Sequence, residues 1–294
     1  MFKNKENNLW MDSDLKHPVV IIIHWIFFIS LVIVCLSTLL PILWVLLSGF
    51  KDTAEFYAVP PSLLPKSFDI SKLWKIWKLM KFEKYYLNTL AMTLGNLCFC
   101  LVSCGLAGYV FSRLKPAGSK VMFRIVVWSL MIPASVATVP FFMSFVDFPY
   151  FHWNFSDTYV PMWIIAGSSV YYTLIFKTNY DDIPVSYIEA ARIDGCGDLK
   201  IFTKIVMPMS LPVTMVIAMF VINASWSDFF YPYLFIKNSD MNPISVQLFG
   251  MVRGNLQIDE QILALFLGVL PPIIMFVFFQ KYIMTGFSMS GIKE

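Results

Sequence analysis

Val19 to Ser48 reads VVIIIHWIFFISLVIVCLSTLLPILWVLLS, an apolar run with one histidine and no Asp, Glu, Lys or Arg. A bilayer core takes roughly 20 apolar residues of helix, because every backbone N–H and C=O must be satisfied internally where water is absent. This run is long enough. It is too long for the core of a cleavable signal and lacks a small-residue cleavage site, so it is expected to remain as a first spanning helix. Five more runs extend the pattern: Tyr86 to Leu114, Val121 to Val146, Tyr159 to Lys177, Leu211 to Tyr231 and Gln261 to Tyr282. The expected fold is all-α, a polytopic membrane protein with six transmembrane helices. Pro41, Pro133, Pro140, Pro161, Pro271 and Pro272 lie within or beside these runs, where kinks are tolerable if neighbouring helices cover the freed carbonyls.

Composition agrees with that reading and narrows the function. The 294 residues are 58% hydrophobic and 14% charged, with a formal net charge of +3. That charge is too small, and its Lys/Arg residues too scattered, for a nucleic-acid partner. The first four of Cys35, Cys98, Cys100, Cys104 and Cys196 fall in apolar runs without His or carboxylate at ligand spacing, so they are read as buried fillers and no metal is expected. No GxxxxGK[ST] phosphate loop occurs, and no hydrolase motif lies in the spans. No catalytic residue is therefore assigned. Proton- or ion-coupled carriers need carboxylates or histidines at membrane depth, and here only His24 and Asp228 come near, each close to a span end. The energy for any transport must come from a partner.

Short loops set the orientation. Arg113, Lys115, Lys120 and Arg124 surround the second connection, whereas Asp147 to Thr158 has neither Lys nor Arg, which puts the second and fourth connections and both termini inside. The first outer connection, 51–85, carries seven lysines against this rule. Leu73, Ile76, Trp77 and Met80 recur there at helical spacing, which predicts an interfacial amphipathic helix with lysines toward water.

The fourth connection is long, polar and helix-forming. From Asp181 to Pro212 it offers Asp182 as a cap, Pro184 in a first turn, a helix through Glu189, Ala190, Ala191 and Arg192, and Gly195 as a left-handed end. Asp198 then caps a second helix carrying Phe202 and Ile205. Small Ala190 and Ala191 permit close approach of another surface; Glu189 and Arg192 offer charge.

Glu189-Ala190-Ala191, Asp194-Gly195, Ile205, Pro208 and Pro212 resemble the EAA loop of ABC importer permeases, with Cys196 where that family usually has Ala. Flanking matches place the resemblance in the carbohydrate branch, the maltose-type, MalG-like binding-protein-dependent inner membrane components. They are Lys51 to Glu55 followed by Pro60-Pro61-Ser62-Leu63, Leu87-Asn88-Thr89, Leu106-Ala107-Gly108-Tyr109, Met131-Ile132-Pro133 and Trp226-Ser227-Asp228-Phe229. Ser227 departs from the Asn common in relatives. The resemblance implies the type I ABC importer permease fold. It also implies an N-terminal part and first span over 1–50, an outer loop over 51–85, a permease core over 86–285 with the coupling loop at 181–212, and a cytoplasmic tail over 286–294.

It further implies that Glu189, Ala190, Ala191, Arg192, Asp194, Gly195 and Phe202 form a coupling helix docking on an ATPase subunit. The implied partners are a homologous MalF-like permease, two ABC ATPases that bind the ATP, an extracytoplasmic binding protein, a sugar solute and membrane lipid. The protein itself would hold no cofactor. Sugars are held by aromatic faces and hydroxyl-directed hydrogen bonds. On that ground Asn223, Ser225, Trp226, Ser227, Asp228 and Tyr231 are candidate solute contacts, with Ser135 and Thr138 beside the third-span prolines. Trp226 and Tyr231 equally suit an interfacial belt, and Asn223 a helix-to-helix bond. Alternatives to a sugar importer are an ABC permease for amino acid or phosphate, a stand-alone secondary transporter or channel, and a membrane scaffold.

Overall fold

The computed structural model describes residues 18–60, 62, 64–251, 254 and 256–290. Pro61 and Leu63, the N-terminal part before Pro18 and the tail from 291 lie outside the described residues. Helix is the only regular structure among the described residues, apart from one isolated bridge between Phe148 and Trp153. The helices are α1 (Pro18–Ser48), α2 (Thr53–Phe56), α3 (Ser71–Leu79), α4 (Phe82–Tyr109), α5 (Ser119–Ser129), α6 (Ala134–Val146), α7 (Val160–Gly167) and α8 (Val170–Asp182). They are followed by α9 (Val185–Ile193), α10 (Asp198–Ile201), α11 (Met207–Met209), α12 (Leu211–Ser227), α13 (Phe230–Phe235), α14 (Ile244–Met251) and α15 (Ile258–Ser290).

Among the described residues, three helices are individually long and apolar enough to cross a bilayer: Pro18–Ser48, Phe82–Leu114 and Ile258–Gln280. Two bent pairs raise the number to five. Ser119–Ser129 meets Ala134–Val146 at 105°, and Asp198–Met209 meets Leu211–Ser227 at 82°. Pro133 explains the first bend, since it disfavours helix in the residue before it and sits at the N-cap of α6 with extended ψ. The expected fourth run, Tyr159 to Lys177, is split between α7 and α8. Ser169 caps α8 there by accepting the Tyr172 N–H, so the chain breaks where two serines compete for the helix hydrogen bonds.

The chain divides into two compact units, residues 1–73 with 257–266, and 74–256 with 267–294. In the smaller unit α1 is apolar on all sides and exposed until its last turn. A polar knot follows. Lys51, 2% exposed, donates to the Ser62 carbonyl at 2.5 Å, Lys72 pairs with Asp259 at 2.5 Å, and Thr53 donates to the same carboxylate at 2.7 Å. Lys72 therefore points into protein, not toward water as the amphipathic reading required. In the larger unit Ile76 and Met80 are buried too, and Trp77 stacks on Phe82 at 5.4 Å. The apolar stripe of α3 serves protein packing, because helical periodicity marks a covered face without saying what covers it.

α4 is the centre of the larger unit, with α7, α8 and α12 packed around it. Glycine lets the neighbours come close: a Cβ on Gly108 would lie 2.8 Å from Phe176 Cβ and 3.0 Å from the Lys177 nitrogen. Of the thiols read as buried fillers, Cys100 and Cys104 are buried as expected. Cys35 and Cys98 are exposed, because apolar runs on a membrane helix carry no signal of which side faces protein. Cys104 Sγ lies 3.3 Å from the Gly167 oxygen and 3.4 Å from the Ser169 oxygen, beside the α7–α8 break.

Candidate functional site

Two places in the larger unit have the composition of a site: the hairpin between α8 and α12, and a cavity along α12. The hairpin is held from below by apolar packing. Tyr109, Phe176, Tyr180, Ile188, Ala191, Ile201, Phe202 and Val206 belong to one buried cluster. The Phe202 ring lies 5.3 Å from Tyr109 and 6.4 Å from Tyr180. Buried side chains of this size each contribute about 1.5–3 kcal/mol by leaving water.

Polar ties complete the anchor. Arg113, just past α4, donates to the Tyr180 carbonyl, which also accepts the Ile183 N–H at 3.2 Å, and to the Ile183 carbonyl just beyond the end of α8. Ser112 donates to Asp181 at 2.7 Å, and Lys177 reaches the other oxygen of that carboxylate at 2.5 Å. Burial opposes the charged form of Asp181, but the bonds from Lys177 and Ser112 outweigh it and hold the carboxyl below its usual range.

α9 ends as its sequence predicts. Gly195 adopts φ +75°, its N–H bonds to the Arg192 oxygen at 3.0 Å, and the Cys196 N–H bonds to the Ala191 oxygen at 2.9 Å. This is the paired bonding of a Schellman end, and a Cβ at Gly195 would touch nothing, so glycine is required by backbone conformation alone. Other expected caps differ. Asp182 is the last residue of α8 and Pro184 takes the N-cap position of α9. Gly197 precedes α10, leaving Asp198 inside it, where its carboxylate accepts from Arg192 at 3.1 Å. α10 runs on through a wide π-type turn, Phe202–Val206.

The hairpin sorts the expected coupling residues into two groups. Glu189, Ala190, Arg192, Asp194 and Gly195 are exposed. Ala191 and Phe202 are buried at 6% exposure each and belong to the anchor. The exposed surface also includes Tyr187, Ile193 and Leu199, which the sequence reading missed. Large apolar side chains at such exposure on a polar hairpin are the signal that could have found them.

The cavity along α12 has a volume of about 390 Å³. Ser225, Ser227, Asp228 and Tyr231 line it, as expected of a path. Facing them from α4, α7 and α8 are Asn96, Met162, Ser169 and Tyr172, which the sequence reading did not select. Asn96 donates to Ser225 Oγ at 2.8 Å, so α4 and α12 are joined by a polar bond in the buried wall. An asparagine in the middle of an apolar span was the available clue. Asn223 opens into a neighbouring cavity of about 340 Å³ with Tyr171, Tyr172 and Ser227.

Trp226 is turned away. It is 9% exposed, donates to the Gly268 oxygen at 3.0 Å and meets the Tyr86 ring edge-on at 5.5 Å, so it fastens α12 to α15. Ser135 and Thr138 lie on α6 and do not line either cavity; Thr138 Oγ1 bonds back to the Ala134 oxygen. Among the described residues no group of three or more His, Cys, Asp or Glu could hold a metal.

Comparison with known proteins places this geometry in context. Residues 103–288 match the family model described as binding-protein-dependent transport system inner membrane component. The chain is 27% identical to the glucose import system permease protein GlcU of Saccharolobus solfataricus, over 96% of this chain and 98% of that protein. It is 23% identical to the arabinooligosaccharides transport system permease protein AraQ of Halalkalibacterium halodurans, over 95% of this chain and all of that protein. A bacterial ABC transporter involved in import of the acidic polysaccharide alginate contains a chain of the same fold. The TM-score is 0.78 at 22% identity, covering 94% of this chain and 99% of that one.

Proposed function

The chain belongs to the family of binding-protein-dependent transport system inner membrane components, and from that premise we propose that it is one of two permease subunits of an ATP-driven carbohydrate importer. The family consists of transport permeases, which are not catalysts, and such importers work with a second permease, an ATPase and a binding protein. For this chain the partners are a homologous MalF-like permease, two ABC ATPases and an extracytoplasmic binding protein that delivers the sugar. Sugar cargo is supported by the relatives that import glucose and arabinooligosaccharides.

The observation that carries the reading is the hairpin, with Glu189 and Ala190 exposed on α9 above a buried anchor. ATP-driven closure of the ATPases pulls on that exposed face. The anchor passes the movement to α4 and α8, and the α12 cavity changes its access between the two sides. Orientation is supported by Arg113, a residue of the basic second connection that bonds to Tyr180 and Ile183. The two connections thus share one side, which positive charge assigns to the cytoplasm together with both termini.

Purification of the tagged chain tests this directly. A second permease and two ATPase copies are expected to come with it, and reconstituted uptake should require ATP and the binding protein. A lone homo-oligomer transporting sugar without ATP would overturn the proposal.

A further inference from the structure

The α12 cavity is lined by one acidic side chain. Asp228 lines it at the end of α12, and no Lys, Arg or His is among its lining residues or those of the neighbouring cavity. The remaining polar lining is neutral: Asn96, Ser169, Ser225, Ser227 and the hydroxyls of Tyr172 and Tyr231. The carboxylate is fixed in direction, since its Oδ1 accepts the Tyr231 N–H at 3.3 Å and its main-chain oxygen accepts from Ser245 at 2.6 Å. Among the described residues no cation pairs with it across the cavity.

We infer that Asp228 is a charge filter for the solute path, passing neutral and cationic sugars and opposing sugars that carry carboxylate, sulfate or phosphate. This rests on the reading of the cavity as a solute path and specifies its cargo. A fixed negative charge between low-dielectric walls acts more strongly than the same charge in water, because screening by solvent is reduced. An anionic sugar entering the cavity meets that charge with no basic side chain among this chain's lining residues to compensate. A neutral sugar meets hydroxyls and an amide that exchange hydrogen bonds with it, and an amino sugar gains a counter-ion.

Charged thiol reagents read the cavity without depending on what the binding protein selects. In the full complex, Cys35, Cys98 and Cys196 are replaced by Ser and Ser227→Cys is introduced in the lining. The rates of a cationic trimethylammonium and an anionic sulfonate methanethiosulfonate reagent are then compared. The thiolate attacks the reagent's sulfenyl sulfur, forming a mixed disulfide and releasing methanesulfinate. The cationic reagent is expected to lead by about tenfold beyond its lead on a free small thiol, and Asp228→Asn should remove that excess. A ratio equal to that of the free thiol with Asp228 in place would overturn the filter while leaving the path intact. No reaction with either reagent would overturn both, because the cavity would then not be an aqueous path. Because the first comparison keeps Asp228, the test survives a misfolded Asp228→Asn.

Discussion

The hairpin anchor and the α12 cavity lie in the same unit and are built by opposite rules. In the anchor, rings fill the space between helices and Arg113 donates to carbonyls at the end of α8, those of Tyr180 and Ile183. Along α12 the space is left open, and polar atoms face it or bond across its wall as Asn96 does to Ser225. A mechanical part must be filled so that it moves as a body. A solute path, the role proposed for the cavity, must keep volume and unspent hydrogen-bonding capacity, and the same helix α4 supplies Gly108 to the anchor and Asn96 to the cavity.

The contrast breaks most severely at Gly108. Gly108→Leu would force a side chain into Phe176 and the Lys177 backbone, a clash that cannot relax by rotamer change, at a cost of about 3 kcal/mol or more. Loss of monodisperse protein on size exclusion is the expected result, whereas Gly195→Ala, strained only by its φ, should leave the fold intact. Arg113→Ala comes next. It strands the Ile183 carbonyl and leaves the Tyr180 carbonyl with the Ile183 N–H alone, and a loss of about 1–3 kcal/mol is expected, read as a lower melting temperature of the purified complex.

Surface changes on the hairpin sharpen the comparison, since they should affect coupling without affecting the anchor. Glu189→Lys and Ala190→Trp are expected to lower ATP-driven uptake by about tenfold or more, the equivalent of roughly 1.4 kcal/mol of lost coupling, at unchanged melting temperature. Normal uptake by both variants would remove the docking role. Trp226→Phe should cost only about 1 kcal/mol, the value of its bond to Gly268, and leave the rate of sugar uptake unchanged.

The smallest expected effect concerns pH. The Asp181 carboxyl is held below its ordinary value in the folded protein, so its contribution is fully present above about pH 4 and is lost as pH falls through the lower folded value. The melting-temperature difference between wild type and Asp181→Asn should therefore stay constant from about pH 7 to pH 5 and shrink only in stronger acid.

How much of this was legible depended on whether a residue's neighbours were local. α1, α4 and α15 follow from length and apolarity, and the end of α9 at Gly195 follows from the residues around it. Facing was not legible. A helix apolar on every side offers no polar stripe to mark its outside, so Trp226 could not be separated from Ser225 and Ser227 as a fastener on α15. Ala191 and Phe202 share a motif with exposed residues, and only the packing of α8 and α4 assigns them inward. The break between α7 and α8 rests on two adjacent serines and on the Cys104 thiol beside the Gly167 and Ser169 carbonyls, a long-range contact no local pattern encodes.

At Gly108 main chain meets main chain, with no intervening side chain able to change rotamer. A linkage built this way has almost no backlash: displacement at one end emerges at the other before any flexible group absorbs it. Even a single methyl there would act like grit between gear teeth, and in the proposed importer the stroke delivered per ATP would shrink although every proposed docking residue remained in place.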